Sequence, residues 1–507
     1  MSTLVALLRA TGKAHGDRTA FVEADTGHSV SFADFWERSV AGARTLAAAM
    51  SGPGPIAVLG RNSVEWARWE AATAIAGRAC LPVNFRLSVE EIDWQLRHAE
   101  AAGLVHGPEF TETAERLRAL GHHCLPFAVP DAHPPGPLPS VGPQDIQRIM
   151  YTSATTGAAK GVLTPHQRIV DNVVTTLANQ LSDATADSCY LVATPLTHMA
   201  VGYLWPMVAV GARSVLLDRF TPAGFCAAVE RHQVTHTLLV PTMVAELAEH
   251  LADDPDAVAR LVERGLRAIW FAGAPTSQGA RDRATRVLGG LLNEQYGLTE
   301  LWSSHRSMCA TYMRYDWGVD KPGSCGRPLI GAEIAVVDDA GAPLPTGEVG
   351  ELVVRSAGAV AGYLGDPEAT TETFADGWTR TGDLARIDDD GYVYIVDRKK
   401  DVIISGGFNI YSAELENALS AHPRVLSCAA VPVPHPRWGE TPWMFATTDG
   451  EVAEEELAAH LTARLSRYKQ PSRIVVVDRL PLGPTGKILK RRLRAIAESA
   501  RLDGAPR

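Results

Sequence analysis

The chain predicts an α/β protein, and two observations carry that expectation. Short apolar runs alternate with amphipathic segments through most of its length, the rhythm of parallel sheets covered by helices, and from about Asp376 the pattern shortens into a compact second unit. With 507 residues, 46% of them hydrophobic and 21% charged, the chain exceeds the usual size of one domain, so at least two are expected.

Taken in order, Ile56 to Leu59 reads as a buried strand. It is followed by Asn62 and the helix-like run SVEWARWEAATAIAG, and a second helix is expected to open at Ser88, with Glu91 completing a capping box. The stretch from Pro126 to Pro143 holds seven prolines, which fix φ and remove ladder donors, so it predicts an irregular connector. Leu196 to Leu217 is the most apolar stretch, but His198, Pro206 and Arg213 interrupt it, and it reads as buried helix and strand rather than a membrane span. Beyond Asp376 come turns at Asp389 to Gly391, a strand YVYIVD and a hairpin at Ser405 to Gly407. A helix AELENALSAH, strands SCAAVPV and WMFATT, a helix EEELAAHLTARL and a strand RIVVVD follow.

Net charge is -10, which disfavours nucleic acid as a partner because nothing supplies a general basic field. Seven cysteines are scattered without a Cys-x-x-Cys pair, and the first twenty residues place Arg9, Lys13 and His15 where a signal peptide needs an apolar run. The expectation is a cytoplasmic protein with neither structural zinc nor stable membrane insertion.

The chemical signal is strongest at Tyr151 to Gly161, YTSATTGAAKG, where hydroxyls, backbone amides and Lys160 suit a polyphosphate. It lacks the spacing of a Walker motif. The segment resembles the phosphate loop of the adenylate-forming superfamily, and four further segments resemble that superfamily in the same order: YGLTE at Tyr296, RTGDL at Arg380, DRKKDVIISGGFNIYSAELE at Asp397 and GPTGKILKRRL at Gly483. Alone, Glu300 reads as a solvated carboxylate, Asp383 as a turn residue and the paired glycines as a hairpin. Five collinear segments reverse those readings.

The resemblance is closest to AMP-forming acyl-CoA ligases, and it implies ATP, Mg2+ and CoA as cofactors and a small-molecule carboxylic acid as partner. It implies a large N-terminal domain, 1–399, of helix-covered sheets and a small mobile α/β C-terminal domain, 400–507, turning about a hinge at Lys400. Thr152, Ser153, Thr155, Thr156, Gly157 and Lys160 would hold phosphate. Gly273, Ala274, Tyr296, Gly297, Asp383 and Arg398 would hold the nucleoside, with both ribose hydroxyls on Asp383. Thr299 would meet phosphate, Glu300 magnesium, and Lys487 the reacting carboxylate and phosphate, while Gly407 would leave room for the pantetheine arm. Lys487 is expected to open a helix, where the dipole disfavours a cation, and Lys490 to Arg494 to form a solvated face. His198, Trp205, Gly273 and Trp302 would line the acyl pocket, with His198 at its gate and counted with Lys487, Glu300 and Thr299 among the catalytic residues. No Asp or Glu lies between Ser188 and Leu217 to pair an α-ammonium, so a non-amino acid is expected.

The loop departs from the family at Ala154 and Ala159, where glycine and proline are usual, and both changes bear on adenylation. Three other readings therefore stay open: a thioesterifier of supplied acyl-adenylate, transfer to a carrier-protein thiol, and a nucleotide-binding pseudoenzyme. A homodimer is also left open.

Overall fold

The computed structural model describes residues 1–50, 52–128, 138–152, 159–273, 276, 278–314, 320–483 and 488–504. Two sheets make up most of the large N-terminal part. The first runs, in spatial order, Cys124–Pro126, Gly103–His106, Ile56–Leu59, Cys80–Val83, Ile146–Tyr151 and Gly161–Pro165. All its pairings are parallel except the last, a hairpin. The second has nine strands among the described residues, and its centre is the parallel run Leu292–Gly297, Ala268–Phe271, His236–Leu239, Cys189–Val192, Arg213–Leu216 and Thr19–Glu23.

The helices Val64–Ile75 and Val201–Ala209 are buried almost all round: the second is apolar on every face, whereas the first buries Glu70 against Arg148 and pairs Arg68 with Glu65. They share one continuous core with strands of both sheets. The expected helix and strand in Leu196 to Leu217 are thus present, as is the Ser88 and Glu91 capping box. Asn62 ties the two sheets where the site begins: its Nδ2 donates to the carbonyls of Thr194 at 3.0 Å and Leu217 at 3.2 Å, while its Oδ1 accepts from Leu196 N–H at 2.9 Å.

A third sheet, wholly antiparallel, carries Ile334–Val337, Gly350–Arg355, Trp378–Ile387, Phe374–Ala375 and Val393–Arg398. One turn, Lys399–Asp401, leads from it into the smaller C-terminal α/β unit. There the hairpin Ile403–Ser405 and Phe408–Ile410 joins the long strands Val425–His435 and Gly439–Thr448 and the parallel strand Arg473–Val476. Gly406 and Gly407 both have positive φ, +58° and +83°, the requirement of a tight two-residue hairpin turn.

Two expectations fail at the C-terminal helix. It spans Lys490–Gly504, so it opens three residues beyond Lys487, which itself lies outside the described residues. Nor is Lys490 to Arg494 a solvated face. Lys490 Nζ pairs with Glu416 Oε1 at 2.8 Å and donates to Ser412 Oγ at 2.7 Å, and Arg494 pairs with Asp401 at 2.7 Å. Leu493 and Ala497 are buried against the long strands, so the helix must turn part of its basic flank inward. Only Arg491 and Arg492 keep the expected exposure.

Candidate active site

The paired strands Ile146–Tyr151 and Gly161–Pro165 flank the phosphate-loop segment, of which Tyr151, Thr152 and Ala159 to Gly161 are described. Its neck is closed by Thr152 and Lys160: Thr152 N–H donates to Lys160 C=O at 3.0 Å, and Lys160 N–H donates to Thr152 Oγ1 at 3.3 Å. Ser153, Ala154, Thr155, Thr156 and Gly157 lie outside the described residues, as do Ala274 and Lys487. Beside the neck runs the segment Gly362 to Leu364. Leu163 N–H donates to Gly362 C=O at 3.0 Å, Leu364 N–H to Gly161 C=O at 2.8 Å, and Gly362 N–H to Ser303 Oγ at 2.6 Å. Ser303 belongs to the short helix Leu301–Ser304 that Glu300 caps, so these bonds bring Glu300 and Lys160 to the same place. Between them stands Tyr363: its hydroxyl donates to Glu300 Oε1 at 3.1 Å, and Lys160 Nζ lies 5.0 Å from its ring centre. Thr299, half-buried, precedes Glu300.

The nucleoside end is built on strand ends. Tyr296 and Gly297 close the strand Leu292–Gly297, next to Ala268–Phe271, which runs out towards Gly273. Tyr296 donates its hydroxyl to Asp383 Oδ2 at 2.6 Å, while Arg398 Nε meets Asp383 Oδ1 at 2.6 Å. Asp383 is 3% exposed, and cross-strand register places Arg398 directly opposite it. Burial, and then the Asp383 charge, pushes the Tyr296 phenol well above its ordinary range, so it stays a donor. A carboxylate has about four lone-pair sites, so Asp383 retains acceptor capacity for a diol beyond these two bonds. Gly297 has a packing reason to be glycine: a Cβ there would run into the carbonyl oxygen of Met308, just before the neighbouring strand Cys309–Arg314.

On the acyl side, His198 is half-buried and its Nδ1 lies 2.8 Å from Thr197 Oγ1, in the loop that Asn62 anchors. Gly273 has φ +97°, and a Cβ there would come within 3.2 Å of Met199 Sδ and 3.9 Å of Val240 Cγ1. Trp302, 2% exposed, and Met308 crowd Gly202, where a Cβ would meet their side chains at 3.5 and 2.4 Å. Trp205, 1% exposed, Trp302 and Met308 all belong to the main core, which accounts for their burial without a ligand. Met199 and Val240 lie beside Gly273, and nothing in the sequence marks them, because a lone apolar residue carries no signal of which face it lines.

In the small unit, Gly407 is exposed at its hairpin tip, where a Cβ would meet no other atom within 4 Å among the described residues. Lys400 sits in the single turn joining the two parts, beside Lys399, which pairs with Asp339 at 2.8 Å. Asp397, on the strand before that turn, accepts both the N–H and, at 3.0 Å, the hydroxyl of Ser412. Adjacent residues thus face opposite ways: Arg398 to Asp383 and Asp397 to the small unit.

A magnesium ion fits this donor set, since Glu300 Oε2 has no side-chain or backbone partner among the described residues and Mg2+ commonly takes one or two carboxylates and completes its shell with phosphate and water. No helix of the described residues is long and apolar enough to cross a membrane.

A body of two largely parallel sheets thus carries Glu300 beside Lys160 at one place and a tyrosine-held aspartate at another, and the family match gives the class. The chain belongs to the AMP-binding enzymes of the adenylate-forming superfamily: the family model matches residues 8–364 and the C-terminal domain model of the same family matches residues 414–487. Among its relatives is a feruloyl-CoA synthase of an Amycolatopsis species, 37% identical over 477 residues, covering 92% of this chain and 94% of that protein. Among solved structures, ATP-bound MatB from Rhodopseudomonas palustris superposes with a TM-score of 0.86 at 27% identity, covering 97% of this chain and 99% of that one. The o-succinylbenzoate CoA synthetase of Bacillus subtilis, in complex with its acyl-adenylate, gives 0.85 at 27%, covering 96% and 97%.

Proposed function

We propose that the chain is an AMP-forming acid-thiol ligase that activates a non-amino, aryl-bearing carboxylic acid and passes it to CoA. The observation that carries this reading is Asp383, held between Tyr296 and Arg398 on one side of a segment whose other end is Glu300. That spacing suits a nucleotide laid across the strand ends, ribose on the aspartate and phosphates towards Lys160.

In the first half-reaction a carboxylate oxygen of the acid attacks the α-phosphorus of ATP, and the bond to pyrophosphate breaks. Lys160, Thr152 and Thr299 orient phosphate oxygens, and Lys487 meets the charge that builds between carboxylate and phosphorus. Glu300 would hold the magnesium ion, which would supply charge neutralisation of the polyphosphate. In the second, the CoA thiolate attacks the acyl carbon and AMP leaves. The domains 1–399 and 400–507 then stand in a different relation, the smaller turning about Lys400 to exchange Lys487 for the Gly407 hairpin.

The acid is inferred from the neutral, sulfur-rich and aromatic surroundings of Gly273 and Gly202 and from the likeness to a feruloyl-CoA synthase. The seven unpaired thiols fit a reducing compartment such as the cytoplasm. The test is a panel of benzoates, cinnamates, fatty acids and amino acids with ATP, Mg2+ and CoA, read by mass spectrometry. Acyl-CoA from an aryl acid is expected; product only with a phosphopantetheinylated carrier protein, or only from preformed acyl-AMP, would overturn the reading.

A further inference from the structure

Tyr363 belongs to none of the five collinear segments, yet among the described residues it is the one side chain that touches both charged ends of the phosphate region. We propose that Tyr363 is a positioning residue for adenylation: its hydroxyl aims Glu300 and its ring face holds Lys160, so that the two opposite charges stay apart and available to a magnesium polyphosphate. The inference rests on the ligase reading for its reaction, though not for its binding test.

The geometry supports a spacer. The hydroxyl reaches Glu300 Oε1 at 3.1 Å and the ammonium of Lys160 sits 5.0 Å from the ring centre. An ammonium is attracted to the face of an aromatic ring, and a carboxylate to the hydroxyl at its edge. One tyrosine therefore accommodates both charges without their meeting, and no ion pair joins Lys160 to Glu300 among the described residues. A direct pair would neutralise each before substrate arrived. With Oε1 engaged by the phenol, Oε2 is left for a cation.

Tyr363 is itself held on every side. It is 7% exposed, and its backbone N–H donates to Thr370 Oγ1 at 3.0 Å. It bridges to Val162 on the loop hairpin, and its ring lies 5.6 Å from that of Phe374. Packing alone would account for a buried ring. It would not account for a hydroxyl and a ring face each matched to a different charge.

The two contacts can be removed separately. Tyr363→Phe keeps the ring and loses the hydroxyl; Tyr363→Leu loses both. Binding of ATP is measured by calorimetry on the full chain across a series of MgCl2 concentrations, alongside acid-dependent pyrophosphate exchange and thermal unfolding. For Y363F the Mg2+ concentration giving half-maximal tightening of ATP is expected to rise about tenfold, with metal-free ATP affinity unchanged. For Y363L metal-free ATP affinity is expected to fall as well, by roughly three- to tenfold. Y363F with a wild-type Mg2+ dependence would overturn the proposal, whatever its stability, and so would a wild-type protein that binds no nucleotide. If magnesium-dependent binding behaves as stated but no acid supports exchange, Tyr363 stands and the ligase reading falls.

Discussion

Replacing Lys490 with methionine removes an ammonium that holds together the start of the last helix, the helix Ser412–Ser420 and, through Ser412, the strand that precedes Lys400. Its Nζ lies 2.8 Å from Glu416 Oε1 and 2.7 Å from Ser412 Oγ, and the two ion-pair side chains are only 20% and 18% exposed. Glu416 Oε1 also accepts Ala430 N–H at 2.8 Å, so the carboxylate is fixed in place and cannot follow its partner to water. Burial pushes the Glu416 carboxyl up and the Lys490 charge draws it back; without Lys490 the anion loses that compensation. Breaking a buried pair on one side costs about 3–5 kcal/mol, and partial exposure here reduces the expectation to roughly 2–4 kcal/mol. In a unit near 100 residues that corresponds to a fall of very roughly 10–20 °C in the melting temperature of the C-terminal part. The double variant K490M/E416Q, which removes both charges but keeps an acceptor for Ala430 N–H, should recover at least half of the loss. Denaturant unfolding of the three variants closes the cycle. A single variant within about 0.5 kcal/mol of wild type, or a double variant no better than the single, would refute the reasoning.

Three further outcomes are expected. Burial pushes the His166 imidazole down to about 4, and its Nδ1 accepts Leu4 N–H at 3.3 Å. Because the folded pKa lies below the ordinary 6.5, this stability is fully present above pH 6.5 and is lost as pH falls through 4, about 3 kcal/mol in all. Unfolding of H166Q against wild type between pH 4 and 7 reads that component as a difference. Gly297→Ala would drive a methyl group into the carbonyl oxygen of Met308; the strands must part, lowering stability by more than about 2 kcal/mol and ATP affinity with it, measured by thermal unfolding and calorimetry. Asp383→Asn leaves Arg398 without its charge partner and weakens the diol contact, so the preference for ATP over its 2′-deoxy analogue should shrink about tenfold in competition binding.

Local rules made much of the fold legible. Ser88 and Glu91 are three residues apart, and Gly406 and Gly407 are neighbours, so a cap and a hairpin turn could be read before any tertiary contact was known. The Asp383 and Arg398 motifs were legible as separate segments, but their ion pair depends on register between two strands, which neither segment states. Tyr363 lies 63 residues from Glu300 and was silent for the same reason. A run of five basic and apolar residues, Lys490 to Arg494, predicts exposure, whereas Glu416, the partner of Lys490, and Asp401, the partner of Arg494, are far away in sequence. Strand order within the nine-stranded sheet was likewise beyond pattern reading, since crossovers between distant strands leave no periodic trace.

The central claim is that the acid is joined to the α-phosphorus before any thiol reacts. It is tested most directly by supplying a turned-over acid labelled with 18O in its carboxylate, together with ATP, Mg2+ and CoA, and weighing the nucleotide released. Attack of the carboxylate on the α-phosphorus predicts AMP carrying one 18O atom from the acid. Unlabelled AMP, or label found in inorganic phosphate beside ADP, would contradict it.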